Sequence, residues 1–199
     1  MTLILKKLQY HNLDPVNLEI ESSQCLGLAG PSGSGKTLLL RALADLDPYD
    51  GDILLDDKSV NDYKPNEWRK KVGLLPAESA WWFDSVGEHF NDYDKNLLHQ
   101  LGFEDDAMSW EISRLSSGEK QRLGLLRLLA NKPDVLLLDE PTANLDQQFV
   151  DKVENILHDY RERQKAALIW VSHDKRQLQR VADRIFEIKE RALQEAPRA

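Results

Sequence analysis

Gly30-Pro31-Ser32-Gly33-Ser34-Gly35-Lys36-Thr37 decides how this chain is read. It follows the apolar run Cys25 to Ala29 and precedes the helix-like run Leu38 to Ala44. The pattern G-x-x-x-x-G-K-[ST] therefore stands in the strand-before, helix-after setting that gives it meaning. Chemistry explains the residue types. Glycines let successive backbone N–H groups turn inward around a phosphate, and a helix opening at Lys36 aims its positive dipole end at the same point. Lys36 is then in reach of terminal phosphates, and the Thr37 hydroxyl of a magnesium ion. The plain alternative is a Gly/Ser turn, which needs four matched positions and their setting to coincide.

The bulk of the chain bounds what this loop serves. With 199 residues there is enough sequence for one core of full size. Charged residues make up 30% and apolar ones 41%, a balance typical of soluble globular proteins. The net charge of -8, from 26 Lys+Arg against 34 Asp+Glu, gives no broad electrostatic reason to sit on nucleic acid or anionic lipid. Cys25 is the single cysteine and reads as a small core residue. Met1 to Lys7 lacks the apolar stretch of a signal peptide, and the longest apolar run, Ala166 to Val171, has six residues. The expectation is no direct membrane insertion and no export, with any work at a membrane done through a partner.

Along the chain, Leu3 to Tyr10 and Val16 to Glu21 alternate apolar and polar residues around the turn Asp14-Pro15, which predicts an antiparallel pair of strands. Ile53 to Leu55 reads as a short strand, Pro65 to Arg69 as a helix with Pro at its start, and Val72 to Leu75 as a buried strand. From Ala77 to Ser113 acids, histidines and aromatics replace apolar strands, with short helices expected at Ser85 to Phe90 and Asp94 to Leu101. Within it, Trp81-Trp82-Phe83 is either core filling or a docking surface for a partner. Ser116-Ser117-Gly118-Glu119 has the spacing of a capping box.

Val135 to Leu138 is an apolar strand that ends in Asp139-Glu140, and ionised carboxylates there demand a metal or water to hold. Asp146 caps a helix expected over Gln147 to Arg163. Ala167 to Val171 then delivers Ser172-His173-Asp174 at its C-terminal end, the edge where open α/β sheets bind ligands. A helix at Lys175 to Val181 and a strand at Arg184 to Ile188 follow, and the polar tail after Lys189 reads as frayed.

Five pieces in this order, the phosphate loop, Leu115 to Arg122, Asp139-Glu140, Ala143-Asn-Leu-Asp146 and His173, resemble the ATP-binding cassette (ABC) ATPase family over about Leu3 to Ile188. The resemblance implies an α/β fold: a P-loop NTPase with a RecA-like, mostly parallel sheet, N-terminal antiparallel strands and a short inserted helical subdomain. It implies a single domain over 1–199, with the core at about 1–76 and 114–199 and the insertion at about 77–113, leading into a signature at 115–122. ATP and Mg2+ are the implied ligands. Gly30, Pro31, Ser32, Gly33, Ser34, Gly35, Lys36 and Thr37 match the family's phosphate loop, with Thr37 and Asp139 on magnesium. Glu140 matches the catalytic glutamate and His173 the histidine that senses the terminal phosphate, with Lys36 as the third catalytic group. Ser116, Ser117 and Gly118 match the segment that completes the ATP site of a second copy, which implies a homodimer or a paired cassette, and the resemblance also implies nucleotide binding at Asp146.

Four departures from the family's pattern stand out. Pro76-Ala77-Glu78 replaces the expected glutamine, so either Glu78 takes over its magnesium contact or that contact is altered. Ser117 stands where glycine is common. The inserted segment is short for a transporter cassette. Tyr10 is the candidate aromatic for stacking on adenine, with His11 as the alternative. The leading expectation is a cytoplasmic ATPase subunit, peripheral at the membrane, that energises a separately encoded permease. The alternatives are a soluble ABC ATPase acting on a ribosomal or DNA-associated partner, and a small-molecule kinase, which would leave Asp146 and His173 unexplained.

Overall fold

The runs at 25–29, 135–138 and 167–171 are apolar throughout because both of their faces are covered. The computed structural model describes residues 1–197; the last two positions, to which the expected domain extends, lie outside the described residues. In chain order the elements are β1 (Thr2–Gln9), β2 (Val16–Glu21), β3 (Cys25–Ala29), α1 (Lys36–Leu43), β4 (Asp50–Leu55), β5 (Lys58–Ser59), α2 (Pro65–Lys71) and β6 (Val72–Leu75). They continue with α3 (Lys95–Gln100), α4 (Ser117–Ala130), β7 (Val135–Asp139), α5 (Gln147–Gln164), β8 (Ala167–Val171), α6 (Lys175–Val181), β9 (Arg184–Lys189) and β10 (Ala192–Ala196).

One sheet has the order β2-β1-β4-β5 and is antiparallel; the other runs β10-β9-β3-β8-β7-β6 and is parallel except for β10. Side chains alternate between two cores with the period of a strand. Leu26, Leu28, Val135, Leu137, Ile169 and Val171 join α1 and the antiparallel sheet in one cluster. Cys25, Ala29, Leu136, Leu138, Leu168 and Trp170 join α4, α5 and α6 in the other. Cys25 is buried, and burial pushes its thiol pKa up to about 12.

Local chemistry sets the helix ends. Ser116 caps α4 by accepting from Glu119 N–H at 3.2 Å while Glu119 Oε2 accepts from Ser116 N–H at 2.8 Å, the reciprocal pair the S-x-x-E spacing predicts. Asp146 caps α5 through Phe149 N–H at 3.1 Å.

Two expectations fail. The tail after Lys189 is β10, paired antiparallel to β9 and pinned by Arg184 and Glu195 at 2.9 Å. Its turn uses Glu190 and Arg191 at φ 46 and 72, so the Asn-Gly or Asp-Gly signal of a tight hairpin is missing from the sequence. Ser85 to Phe90 is no helix beyond a 3-10 turn at Gly87–His89, because Val86 N–H is drawn to the Trp110 carbonyl at 3.0 Å and Ser85 bridges Glu111.

Trp68 on α2 is fully buried in the first core and donates its indole N–H to the Leu43 carbonyl at 2.9 Å. Trp68→Ala is expected to destabilise the chain by about 3–5 kcal/mol through the cavity it leaves. A urea midpoint within error of wild type would contradict this packing role.

Candidate active site

The strand order sets β3, β8 and β7 side by side and parallel, so whatever follows each strand meets at one edge. Gly30 to Gly35 leaves β3, Glu140 leaves β7 and His173 follows β8. Gly35 stands before α1 at φ 100, a left-handed conformation that suits glycine, with a Leu13 methyl only 3.0 Å from where a Cβ would sit. No side chain caps α1, which leaves its first N–H groups open to an anion. Lys36 is 6% exposed, and its Nζ donates to the Gly30 and Pro31 carbonyls at 2.9 Å each, holding the ammonium inside the loop. Burial lowers its pKa, against the pull of Glu140 and Asp139. Pro31, Ser32 and Gly33 are exposed on the loop's outer side, while the Ser34 hydroxyl is buried without a partner.

Thr37 Oγ1 donates to Asp139 Oδ2 at 2.7 Å, joining the two groups expected to hold magnesium. Among the described residues no three or more His, Cys, Asp or Glu side chains form a metal site by themselves. A hydroxyl and one carboxylate fit magnesium, which binds through one or two protein groups together with substrate phosphates.

Glu140 adopts φ 50, rare for a residue with a Cβ, and its N–H is held by the Val171 carbonyl at 3.2 Å. Its Oε1 is buried without a hydrogen bond and lies 3.5 Å from His173 Nε2. Burial raises the Glu140 carboxyl above its ordinary range, His173 and Lys36 oppose the rise, and Asp139 adds to it. His173 itself is exposed.

The signature lies elsewhere on the surface. Ser116 and Ser117 are exposed, and Ser117 opens α4 in helical geometry, so serine in place of glycine costs the backbone nothing there. Gly118 is the position that needs glycine: a Cβ would sit 2.8 Å from the Asn144 carbonyl in the segment leading to Asp146.

Tyr10 lies beside the phosphate loop, its ring 3.7 Å from where a Cβ on Gly35 would sit, but it is 3% exposed in the first core with its hydroxyl buried, so no ring face is open to a base in this structure. His11 is exposed instead and lines a cavity of about 530 Å3 with Pro31, Gly33, Ser34, Glu190 and Arg191. Asn12 also lines it and went unnoticed in the sequence, as did Arg191; Arg191 Nε donates to the Asn12 carbonyl, and Asp14 N–H to the Arg191 carbonyl at 2.8 Å. Glu78 is exposed and forms no metal-holding group with Asp139 and Glu140. Facing Pro76 is Gln121, which donates to its carbonyl at 3.4 Å.

The Trp81-Trp82-Phe83 stretch divides. Trp81 is half-buried under Arg127, while Trp82 and Phe83 are exposed at 64% and 47%. Their loop is held by His89, whose Nε2 accepts from the N–H groups of both Trp82 and Phe83 while Nδ1 faces the Ser85 carbonyl at 3.0 Å.

An uncapped helix behind a glycine loop, a hydroxyl–carboxylate pair and a second carboxylate at one sheet edge define a P-loop nucleotide hydrolase. Known proteins narrow the class. A sequence model described as ABC transporter matches residues 13–143. The probable iron export ATP-binding protein FetA of Escherichia coli (strain K12) is 32% identical over 199 residues, covering 92% of this chain and 88% of that protein. The methionine import ATP-binding protein MetN of Staphylococcus haemolyticus (strain JCSC1435) is 33% identical over 195 residues, 87% of this chain but 56% of that protein, so the chain spans little more than half of its length. Among solved structures, the ATP-binding cassette MJ0796, in a dimeric post-hydrolysis state bound to ADP and Pi, superposes with a TM-score of 0.83 at 23% identity, covering 100% of this chain and 99% of that one. The chain belongs to the ABC transporter family and is an ATPase of that type.

Because the ionised form of Glu140 is the one able to take a proton, activity is expected to fall as pH drops through a carboxyl pKa that burial has raised. The acid limb of kcat against pH should therefore lie above the range of an ordinary glutamate. A limb within or below that range would assign the proton acceptor to another group.

Proposed function

We propose that this chain is the ATP-hydrolysing subunit of a membrane transport system, working as a pair of cassettes that closes on two ATP molecules and drives a separately encoded permease. The observation that carries the hydrolytic part is the buried, unbonded Glu140 Oε1 beside His173 Nε2, at the same edge as the Thr37–Asp139 pair. A carboxylate oxygen held there without a partner is placed to take a proton from an attacking water. Lys36 and the first N–H groups of α1 receive the phosphates of ATP, and His173 donates to the terminal phosphate as charge builds on it. Thr37 and Asp139 would hold magnesium, which when bound neutralises phosphate charge. His11 takes the base end of the nucleotide in place of Tyr10.

Pairing of cassettes is supported by the exposure of Ser116 and Ser117 at the N-terminus of α4, where they are reachable by a ligand held on a second copy. A permease partner is supported by Leu46, Trp82 and Phe83, exposed at 44%, 64% and 47%. Leu46 borders a groove of about 310 Å3 with Ser79 and Arg127, whose Oγ and Nη1 are buried without partners, and Arg127 also lies over Trp82 at 4.9 Å. Among the described residues no helix is long and apolar enough to cross a membrane. This chain would thus sit at the cytoplasmic face of the membrane through that partner. The relatives named above include an import and an export protein.

Glu140→Gln should lower ATP turnover by about 100-fold or more while keeping ATP binding, and should give an ATP-dependent dimer on gel filtration. Turnover at the wild-type rate would move the base elsewhere. Purification from detergent extract should recover a polytopic membrane protein with the wild-type chain and much less with the Trp82→Ala/Phe83→Ala variant. Recovery of none with the wild type would count against the permease.

A further inference from the structure

Gln177 belongs to α6, a surface helix, yet is only 5% exposed. Its side-chain Nε2 donates to Thr142 Oγ1 and to Glu154 Oε1, both at 2.8 Å, so both amide hydrogens are used. Arg180, a turn further on, donates to the same carboxylate from Nε at 3.3 Å and Nη2 at 2.8 Å. Three segments meet at this cluster: the stretch after Glu140, the helix after His173, and α5.

Position in the chain gives the cluster its significance. Thr142 is 7% exposed and lies two residues beyond Glu140; Gln177 lies four residues beyond His173. Glu140 is held in a left-handed conformation that its side chain disfavours, which persists only where surrounding structure enforces it. His173 is exposed and approaches Glu140 from a different strand end. The strand ends are joined by strand pairing at Asp139 and Val171 and by the Glu140 N–H to Val171 carbonyl bond. The amide of Gln177 adds a tie beyond the strands, between the segments that follow Glu140 and His173. A buried amide with two short bonds resists separation, because parting Thr142 from Gln177 strands a donor and an acceptor away from water.

We propose that Gln177 is a positioning residue: by bonding Thr142 and Glu154 it fixes the spacing of Glu140 and His173 for ATP hydrolysis. The inference rests on the roles given to those two residues under the proposed function. Gln177 touches neither nucleotide nor water in this role, so its removal acts on kcat and leaves ATP affinity alone.

The test compares Gln177→Leu, Thr142→Val and Thr142→Ser in kcat, KM for ATP, nucleotide binding by titration, thermal midpoint and the pH profile of kcat. Gln177→Leu is expected to lower kcat by about 10- to 100-fold, as a misplacement of about 1 Å does, with ATP binding unchanged and the acid limb shifted from its wild-type position. Thr142→Val should reproduce the loss, Thr142→Ser, which keeps the acceptor, should restore most of the turnover, and the Gln177→Leu/Thr142→Val pair should be no worse than either alone. An unchanged kcat, or an additive double variant, overturns the proposal, as does a loss fully accounted for by the folded fraction with the pH profile unmoved. If Gln177→Leu does not fold, the contrast between Thr142→Val and Thr142→Ser decides: equal turnover overturns it and unequal turnover supports it. Glu140→Gln separates the two layers. If that variant still turns over, the reading beneath fails; if it is inactive beside an unaltered Gln177→Leu, only this inference does.

Discussion

The 2.7 Å hydrogen bond from Thr37 to Asp139 ties the first turn of α1 to the last residue of β7. It can form only because the parallel sheet sets β3 next to β8 and β8 next to β7, with Leu28 and Asp139 both level with Val171. Parallel pairing turns separate strand ends into one edge, and that edge gathers the phosphate loop, Glu140 and His173 from distant parts of the chain. Shifting β7 by one residue would turn Asp139 and every apolar neighbour to the opposite face. Both faces of 135–138 are apolar, so the slip is opposed by the close fit of those side chains and by loss of the Thr37–Asp139 bond, which makes core packing and carboxylate placement one constraint.

The site's electrostatics follow from this confinement. A lysine drawn into the loop, a carboxylate bonded to a hydroxyl and a second carboxylate kept from solvent form a set of charges that lack full compensation among themselves. Burial disfavours charge on both Lys36 and Glu140, pushing the two groups in opposite directions on the pH scale. The phosphates of a bound nucleotide, and under the proposed function a divalent cation with them, would supply what the protein withholds.

Much of this is legible in the sequence. Apolar runs ending in acids or in Ser172-His173, and glycines before Lys36, carry signals within a few residues. The capping box at Ser116 and Glu119 formed as its spacing required. What escaped depended on long-range pairing. Alternation correctly placed a strand near Tyr10 but not which face its ring would take, and the ring went to the core while His11 turned outward at φ 52. β10 was hidden because its turn uses charged residues in left-handed geometry, a conformation that its partners enforce and its own composition does not announce. Gln177, the most buried polar side chain on α6, carries no signal in the sequence because its partners Thr142 and Glu154 lie 35 and 23 residues away.

The strap between Arg191 and the Asn12 to Asp14 loop ties the turn between β9 and β10 to the connection between β1 and β2 at a single wall of the cavity beside the phosphate loop. The wall therefore belongs to both sheets at once, and anything that rests against it bears on the antiparallel sheet and the parallel one together.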